Sequence, residues 1–255
     1  MSYRAAWKTV QQNGVGWLYT VVIISTLVLF TLVTFGRFNN SVGRRLLHYF
    51  GYGSLWIVSV KLEAVGFEDF DEKVARIVTF NHSSTLDLFT MTALYPVSGV
   101  GILKKEMLRL PVIGWAVRLL DFIALDRTNK ESAAASLRSV AERVQRDKLT
   151  VLIAPEGTRA ASADLERFKL GAFRLARATG APISPMVIHG GYRLWPRTRL
   201  YAEPGTLRVT RLPDMFVGDC SDDELPVFAD RLRAMYAEEL ARGLQLGDGA
   251  TGDDG

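Results

Sequence analysis

Residues 76–87 read RIVTFNHSSTLD, and an apolar run, LFTMTALY, continues over 88–95. The stretch RIVTF predicts a strand, and TLDLFTMTALY (85–95) predicts a helix. Strand, polar turn and helix in that order form the repeating unit of an α/β sheet. Catalytic groups often emerge at such turns. The turn NHSSTLD (81–87) has two readings. Ser84 and Asp87 fit S-x-x-D, a capping-box-like helix start in which the carboxylate complements the helix dipole. His82 is then a hydrogen-bonded turn residue. In the other reading the same geometry builds a base. Five helical residues rotate through about 140°, so His82 and Asp87 cannot share one face of a continuous helix. A turn ahead of the helix lets His82 fold back over it. The carboxylate then keeps one ring nitrogen protonated, and the other can take a proton from a hydroxyl.

Further along the chain, GVGIL (99–103), DFIAL (121–125), LTVLIA (149–154) and ISPMVI (183–188) also read as strands. LPVIGWAVRLL (110–120), ESAAASLRSVAERVQRD (131–147), GAFRLARAT (171–179) and a segment near 222–242 read as helices. Leu137, Val140 and Val144 are spaced three and four apart, as one helix face requires. In the last helix the stripe is Leu225, Phe228, Leu232 and Met235. The expected fold is α/β, with a mixed, partly parallel central sheet flanked by helices. It is preceded by an N-terminal membrane-embedded helical segment. The expected domains are residues 1–60 for the membrane-anchoring helices and 61–246 for the α/β domain. The tail, 247–255, has nothing to bury and is expected to be disordered.

The membrane expectation rests on Thr9 to Gly36, which holds no charged residue. Val15 to Phe35 is apolar almost throughout, and its 21 residues match a bilayer core of roughly 30 Å at about 1.5 Å per residue. A cleaved signal peptide has a shorter apolar run and a small-residue cleavage site, and GRFNNSVGRR (36–45) supplies none. Arg37, Arg44 and Arg45 after the run outnumber Arg4 and Lys8 before it, which favours a cytoplasmic position for the α/β domain. Leu46 to Val60 is uncharged too, but short and glycine-interrupted. It fits an interfacial segment or a buried helix or strand equally well. The two segments can also form a helical pair within one leaflet.

Net charge is +4, from 31 basic and 27 acidic side chains. That is too slight to argue for nucleic acid and compatible with an anionic membrane surface. Cys220 is the single cysteine, so neither an intrachain disulfide nor a cysteine metal cluster is expected. His48, His82 and His189 are the only histidines.

Several cations stand at predicted strand ends. APEGTR (154–159) follows LTVLIA, and Pro155 and Gly157 suit positions i+1 and i+3 of a type I turn. That turn also presents Thr158 and Arg159, and arginine matches a pair of phosphate oxygens. Lys104 and Lys105 end GVGIL, and Arg127 ends DFIAL. Each cation alone is an ordinary solvated charge; together, beside a histidine–aspartate pair, they suit an anionic substrate.

Over residues 60 to 215 the chain resembles the glycerolipid acyltransferase family, typified by 1-acyl-glycerol-3-phosphate acyltransferases. The motif N-H-x4-D matches Asn81, His82 and Asp87. K-K-E-L…P-x-x-G-W matches Lys104, Lys105, Glu106, Pro111, Gly114 and Trp115. P-E-G-T-R matches Pro155 to Arg159, and F-K-x-G matches Phe168, Lys169 and Gly171. The family's G-x-x-F-I-x-R keeps Arg127, with Asp121 and Ala124 in place of its glycine and phenylalanine.

The resemblance implies transfer of a fatty acyl group from acyl-CoA or acyl carrier protein to the hydroxyl of 1-acyl-sn-glycerol-3-phosphate, giving phosphatidic acid. The alternative acceptor is another lysolipid, with a larger headgroup or an amino-lipid core. His82 is implied as base and Asp87 as its orienting partner. Glu156, Gly157, Thr158 and Arg159 are implied to bind the acceptor, assisted by Lys104, Lys105 and Arg127. No metal, cofactor or nucleic-acid partner is implied. The expected location is the inner or cytoplasmic membrane, with the catalytic domain facing the cytoplasm.

Overall fold

The computed structural model describes residues 3–33, 40–71, 73–94, 99–109, 114, 122–125 and 130–248. Helices α1 (Tyr3–Val33) and α2 (Asn40–Ile57) lead into strand β1 (Val60–Val65). Then come β2 (Ile77–Phe80), α3 (Leu86–Ala93), β3 (Gly99–Lys104) with a 3-10 turn at Lys105–Arg109, and β4 (Ile123–Leu125). The second half runs α4 (Lys130–Asp147), β5 (Thr150–Ile153), α5 (Gly171–Thr179), β6 (Ile183–His189), α6 (Gly191–Leu194), β7 (Gly205–Arg211) and α7 (Leu225–Asp248).

Among the described residues seven strands form one sheet in the order β1-β7-β6-β2-β5-β3-β4. Every neighbouring pair is parallel except β6 and β7. The mixed α/β sheet flanked by helices is therefore as expected. All four residues of β5 are buried, as a strand covered on both faces requires. Alternation along the strands divides the core in two. Ile77, Val151, Ile153, Ile183 and Val187 pack with α4, α5 and α7. Val78, Leu152, Met186 and Ile188 pack with α2 and α3. Val140 and Val144 are buried with Leu137 packed against them, which bears out the stripe on α4. On α7 the fully buried positions are Leu225, Leu232 and Tyr236. The stripe is rotated toward Tyr236, whose hydroxyl lies 2.9 Å from Thr79 Oγ1 on β2.

β1 and β7 are strands that were not expected. VKLEAV and GTLRVTR both alternate apolar with polar residues. They pair in register from Val60↔Gly205 to Val65↔Thr210 at the sheet edge. The Leu46 to Val60 segment resolves into the end of α2 and the first residue of β1. The predicted helix over 110–120 lies outside the described residues apart from Gly114, and Arg127 lies outside them too. α7 extends to Asp248, past the expected start of the tail; 249–255 lie outside the described residues.

A membrane-spanning helix is the part of the expectation that the described residues do not support. Among the described residues no helix is long and apolar enough to cross a membrane. The first turns of α1 are polar and tied to the α/β domain. Lys8 Nζ pairs with Glu203 at 2.8 Å. Gln12 donates to the Ala202 carbonyl at 3.1 Å and accepts its amide at 2.9 Å. Asn13 donates to the Leu200 carbonyl at 3.3 Å. Nearer the middle of α1, Tyr19 stacks on Phe50 of α2 and donates to the Tyr49 carbonyl. α2 in turn lies against α3. A Cβ on Gly51 would stand 2.3 Å from the Ala93 nitrogen, so only glycine permits this backbone approach.

Candidate active site

The carboxyl ends of β2, β5 and β6 meet at one edge of the sheet, and NHSSTLD crosses it. Asn81 locks the end of β2 to β6: its amide donates to the Ile188 carbonyl at 3.0 Å and accepts the Ile188 N–H at 2.7 Å. The chain then turns, and His82 folds back over the start of α3. His82 Nδ1 stands 2.9 Å from Asp87 Oδ2. The same oxygen accepts the backbone N–H groups of Ser83 and Ser84, each at 2.8 Å. The two readings of the turn are thus one arrangement. Asp87 satisfies amides at the mouth of α3 and also holds the imidazole.

An ionised carboxylate accepts only, so Nδ1 carries the proton and Nε2 is left as an acceptor. The His82 side chain is 31% exposed and that of Asp87 is fully buried. Burial pushes the Asp87 carboxyl up from its ordinary range, opposed by His82 and the two serine amides. Asp87 Oδ1 is buried without a partner among the described residues. Over it lies Gly191, where a Cβ would sit 3.2 Å from that oxygen and 3.1 Å from Ser84 Cβ. Ser84 Oγ donates to the Trp195 carbonyl at 2.8 Å, which fastens the GGYRLW loop (190–195) across the turn.

The PEGTR turn closes the other side. Gly157 donates to the Ala154 carbonyl at 3.0 Å, as the expected four-residue turn requires. Gly157 has φ +76°, and a Cβ there would run into Lys169. Ala160 N–H donates to the His82 carbonyl at 2.7 Å. Arg159 Nη1 donates to Thr85 Oγ1 at 2.6 Å. Thr158 is exposed and Arg159 half-buried, while Glu156 is buried. Glu156 Oε1 accepts the His82 N–H at 2.8 Å, and Oε2 is buried with no hydrogen-bond partner among the described residues. Burial pushes this carboxyl up to about 7, opposed first by the backbone amide of His82.

Lys104 ends β3 on the same sheet edge, and Lys105, exposed, opens the 3-10 turn after it. The other histidines are engaged elsewhere. His48 Nδ1 lies 2.9 Å from the Ala93 carbonyl. His189 Nε2 lies 3.2 Å from Thr210 Oγ1 and 3.5 Å from Glu239, and burial lowers its pKa. The serine amides, Gly191 and the Trp195 carbonyl were not anticipated. Only the paired glycines directly after a strand offered a signal for them.

The raised Glu156 carboxyl has a consequence for stability. It binds its proton more tightly folded than unfolded, so stability is lost as pH rises from the ordinary value of 4.5 to about 7. Glu156→Gln does not titrate. Its melting temperature relative to wild type should be level below that window, climb through it and level off above. A constant difference from pH 4 to 8 would show that the carboxyl titrates normally.

Comparison with known proteins places this geometry. The model of the acyltransferase family matches residues 61–189, which include both NHSSTLD and PEGTR. A 1-acyl-sn-glycerol-3-phosphate acyltransferase of Pseudomonas aeruginosa is 31% identical over 186 residues, 72% of this chain and 71% of that protein. One from Limnanthes alba is 26% identical over 87% of this chain and 80% of its own length. The crystal structure of the 1-acyl-sn-glycerophosphate (LPA) acyltransferase PlsC from Thermotoga maritima is similar with a TM-score of 0.76. It is 23% identical and covers 98% of both chains, a likeness of fold. With half its length matched by the family model and the histidine–aspartate pair inside the match, the chain belongs to the acyltransferase family.

Proposed function

We propose that the protein transfers a fatty acyl group from a thioester to the free hydroxyl of 1-acyl-sn-glycerol-3-phosphate, forming phosphatidic acid in phospholipid biosynthesis. The observation that carries this reading is the His82–Asp87 pair. One imidazole nitrogen is held by a buried carboxylate, and the ring stands at a half-exposed position that a substrate can reach. The names of the relatives supply the acceptor. His82 Nε2 takes the proton of the acceptor hydroxyl as its oxygen attacks the thioester carbonyl. The tetrahedral intermediate then expels the thiolate, which takes the proton back from the imidazolium. Asp87 holds the ring in the required tautomer and stabilises its charged form. No enzyme nucleophile enters, and the donor is acyl-CoA or acyl carrier protein. Thr158 and Arg159 face the acceptor phosphate, with Lys104, Lys105 and Arg127 assisting.

The membrane enters this reading as a surface to lie on. Trp17, Leu18 and Val21 are exposed on α1, and Tyr49, Tyr52 and Trp56 on α2. The α2 residues are spaced three and four apart, so they share one face. Tyrosine and tryptophan prefer the headgroup boundary, and an exposed apolar stripe on a docked helix suits one leaflet. The arginines after the apolar run favour the cytoplasmic side. The acceptor and product are both amphiphiles, so the site is reached without extracting a lipid into water.

Three measurements test this. Offered a panel of lysolipids with labelled acyl donors, the purified protein should prefer the phosphate monoester. A charge-assisted hydrogen bond is worth about 1.5–3 kcal/mol, so Arg159→Ala should lower kcat/KM for that acceptor by roughly 10–200-fold. The loss should be much smaller for an acceptor with an esterified phosphate. Equal losses would make Arg159 a support for Thr85 and the turn. A wild-type preference for an esterified or phosphate-free acceptor would shift the assignment to another lysolipid, and no transfer to any would leave a lipid carrier. For the membrane, burial of apolar surface resists ionic strength while purely electrostatic attachment does not. High-salt washing should therefore leave the protein on membranes, and release by salt alone would contradict the apolar stripe's role.

A further inference from the structure

We infer that Glu156 is a positioning residue for the His82 base, acting through the His82 backbone amide, and is not a contact for the acceptor. The inference rests on reading His82 as the base. It departs from the acceptor-binding role that the family resemblance implies for this glutamate.

Three observations carry it. First, Glu156 is 3% exposed, and its Oε2 is buried with no hydrogen-bond partner among the described residues. A carboxylate so placed has no surface to offer a lipid headgroup. It would also repel a phosphate that came within reach. Second, its Oε1 accepts the peptide N–H of His82, at 2.8 Å. The carbonyl of the same residue accepts the Ala160 N–H at 2.7 Å. The PEGTR turn and the residue after it thus grip His82 at both backbone ends, once by the Glu156 side chain and once by the Ala160 main chain. Asp87 grips its ring. Backbone and ring are therefore set by two different carboxylates, and together they determine where Nε2 points. Third, the turn divides its side chains by direction. Thr158 is exposed and Arg159 half-buried, and Arg159 reaches Thr85 at the start of α3. The groups able to meet a phosphate are the ones on the outer side of the turn.

A residue that acts by placing a base should change turnover and leave acceptor binding alone. Misplacing a reacting group by about 1 Å can cost up to about 100-fold. Glu156→Ala should lower kcat by roughly 10–100-fold on this ground, with the KM for lysophosphatidic acid unchanged. Glu156→Gln keeps the length and an acceptor oxygen for the His82 amide without the charge. It should recover most of the lost kcat. Glu156→Asp keeps the charge but withdraws the carboxylate by one methylene, so it should recover less than Gln. If the alanine variant does not fold, the order of Gln over Asp still decides.

Three results would overturn the inference. One is a raised KM with kcat kept in Glu156→Ala or Glu156→Gln, which is the signature of an acceptor contact. Another is Asp outperforming Gln, which would make charge the requirement. The third is full turnover in folded Glu156→Ala. His82→Ala, assayed alongside, separates this inference from the proposed reaction. If that variant is inactive while the Glu156 variants misbehave, positioning alone fails. If it keeps wild-type turnover, the base assignment fails and the inference with it.

Discussion

One oxygen atom, Asp87 Oδ2, receives three hydrogen bonds, from the His82 ring and from the amides of Ser83 and Ser84. A buried carboxylate is tolerated only when donors surround it. The local chain is shaped to supply them. β2 ends at Phe80 and α3 begins at Leu86, and the few residues between must turn sharply enough to aim two successive amides at one point. Asn81 braces that turn against β6, and the carbonyl of Trp195 braces it from above. Gly191 leaves room for the second carboxylate oxygen. The helix start and the proposed orienting half of the site thus share one carboxylate oxygen.

The central sheet was legible because its strands are buried on both faces. LTVLIA and ISPMVI read as largely apolar runs, and the polar turn after RIVTF announced a helix start and a histidine–aspartate pair. β1 and β7 were missed for the opposite reason. β1 is the edge strand with β7 next to it, and Lys61, Glu63, Arg208 and Thr210 dilute the apolar signal to simple alternation. At the site, the motifs indicated which residues gather but not which way they face. Glu156 and Arg159 stand three apart in one motif, yet one is buried under His82 and the other reaches Thr85. That difference comes from the turn at Gly157 and from the neighbouring strand ends, which a linear motif does not record. The apolar length of 15–35 suggested a span. The long-range contacts of Lys8, Gln12 and Asn13 that tie this helix to residues 200–203 are invisible in the sequence.

These helices also bear on the site. α1 leans on α2 through Tyr19 and Phe50, and α2 meets the backbone of α3 at Gly51. Phe50 and Phe89 continue the contact edge to face, and Phe89 approaches Trp195 at 6.3 Å. A packed chain of side chains therefore joins the exposed aromatic stripe to the helix that bears Asp87 and to the loop that braces it. The surface suited to lipid and the residues suited to acyl transfer are parts of one packed unit.

The most direct test of the central claim, that Asp87 serves as cap and as orienter of the base, is kcat of Asp87→Asn with its fold verified by circular dichroism. The asparagine oxygen can still accept the serine amides, so the fold should persist. It lacks the negative charge that stabilises the imidazolium formed when Nε2 takes a proton, and the comparable loss in a serine-protease triad is about 10⁴-fold. A folded variant that has lost roughly 10³-fold or more in kcat agrees with the account. A folded variant with kcat within a few-fold of wild type would reduce Asp87 to a helix cap and contradict it.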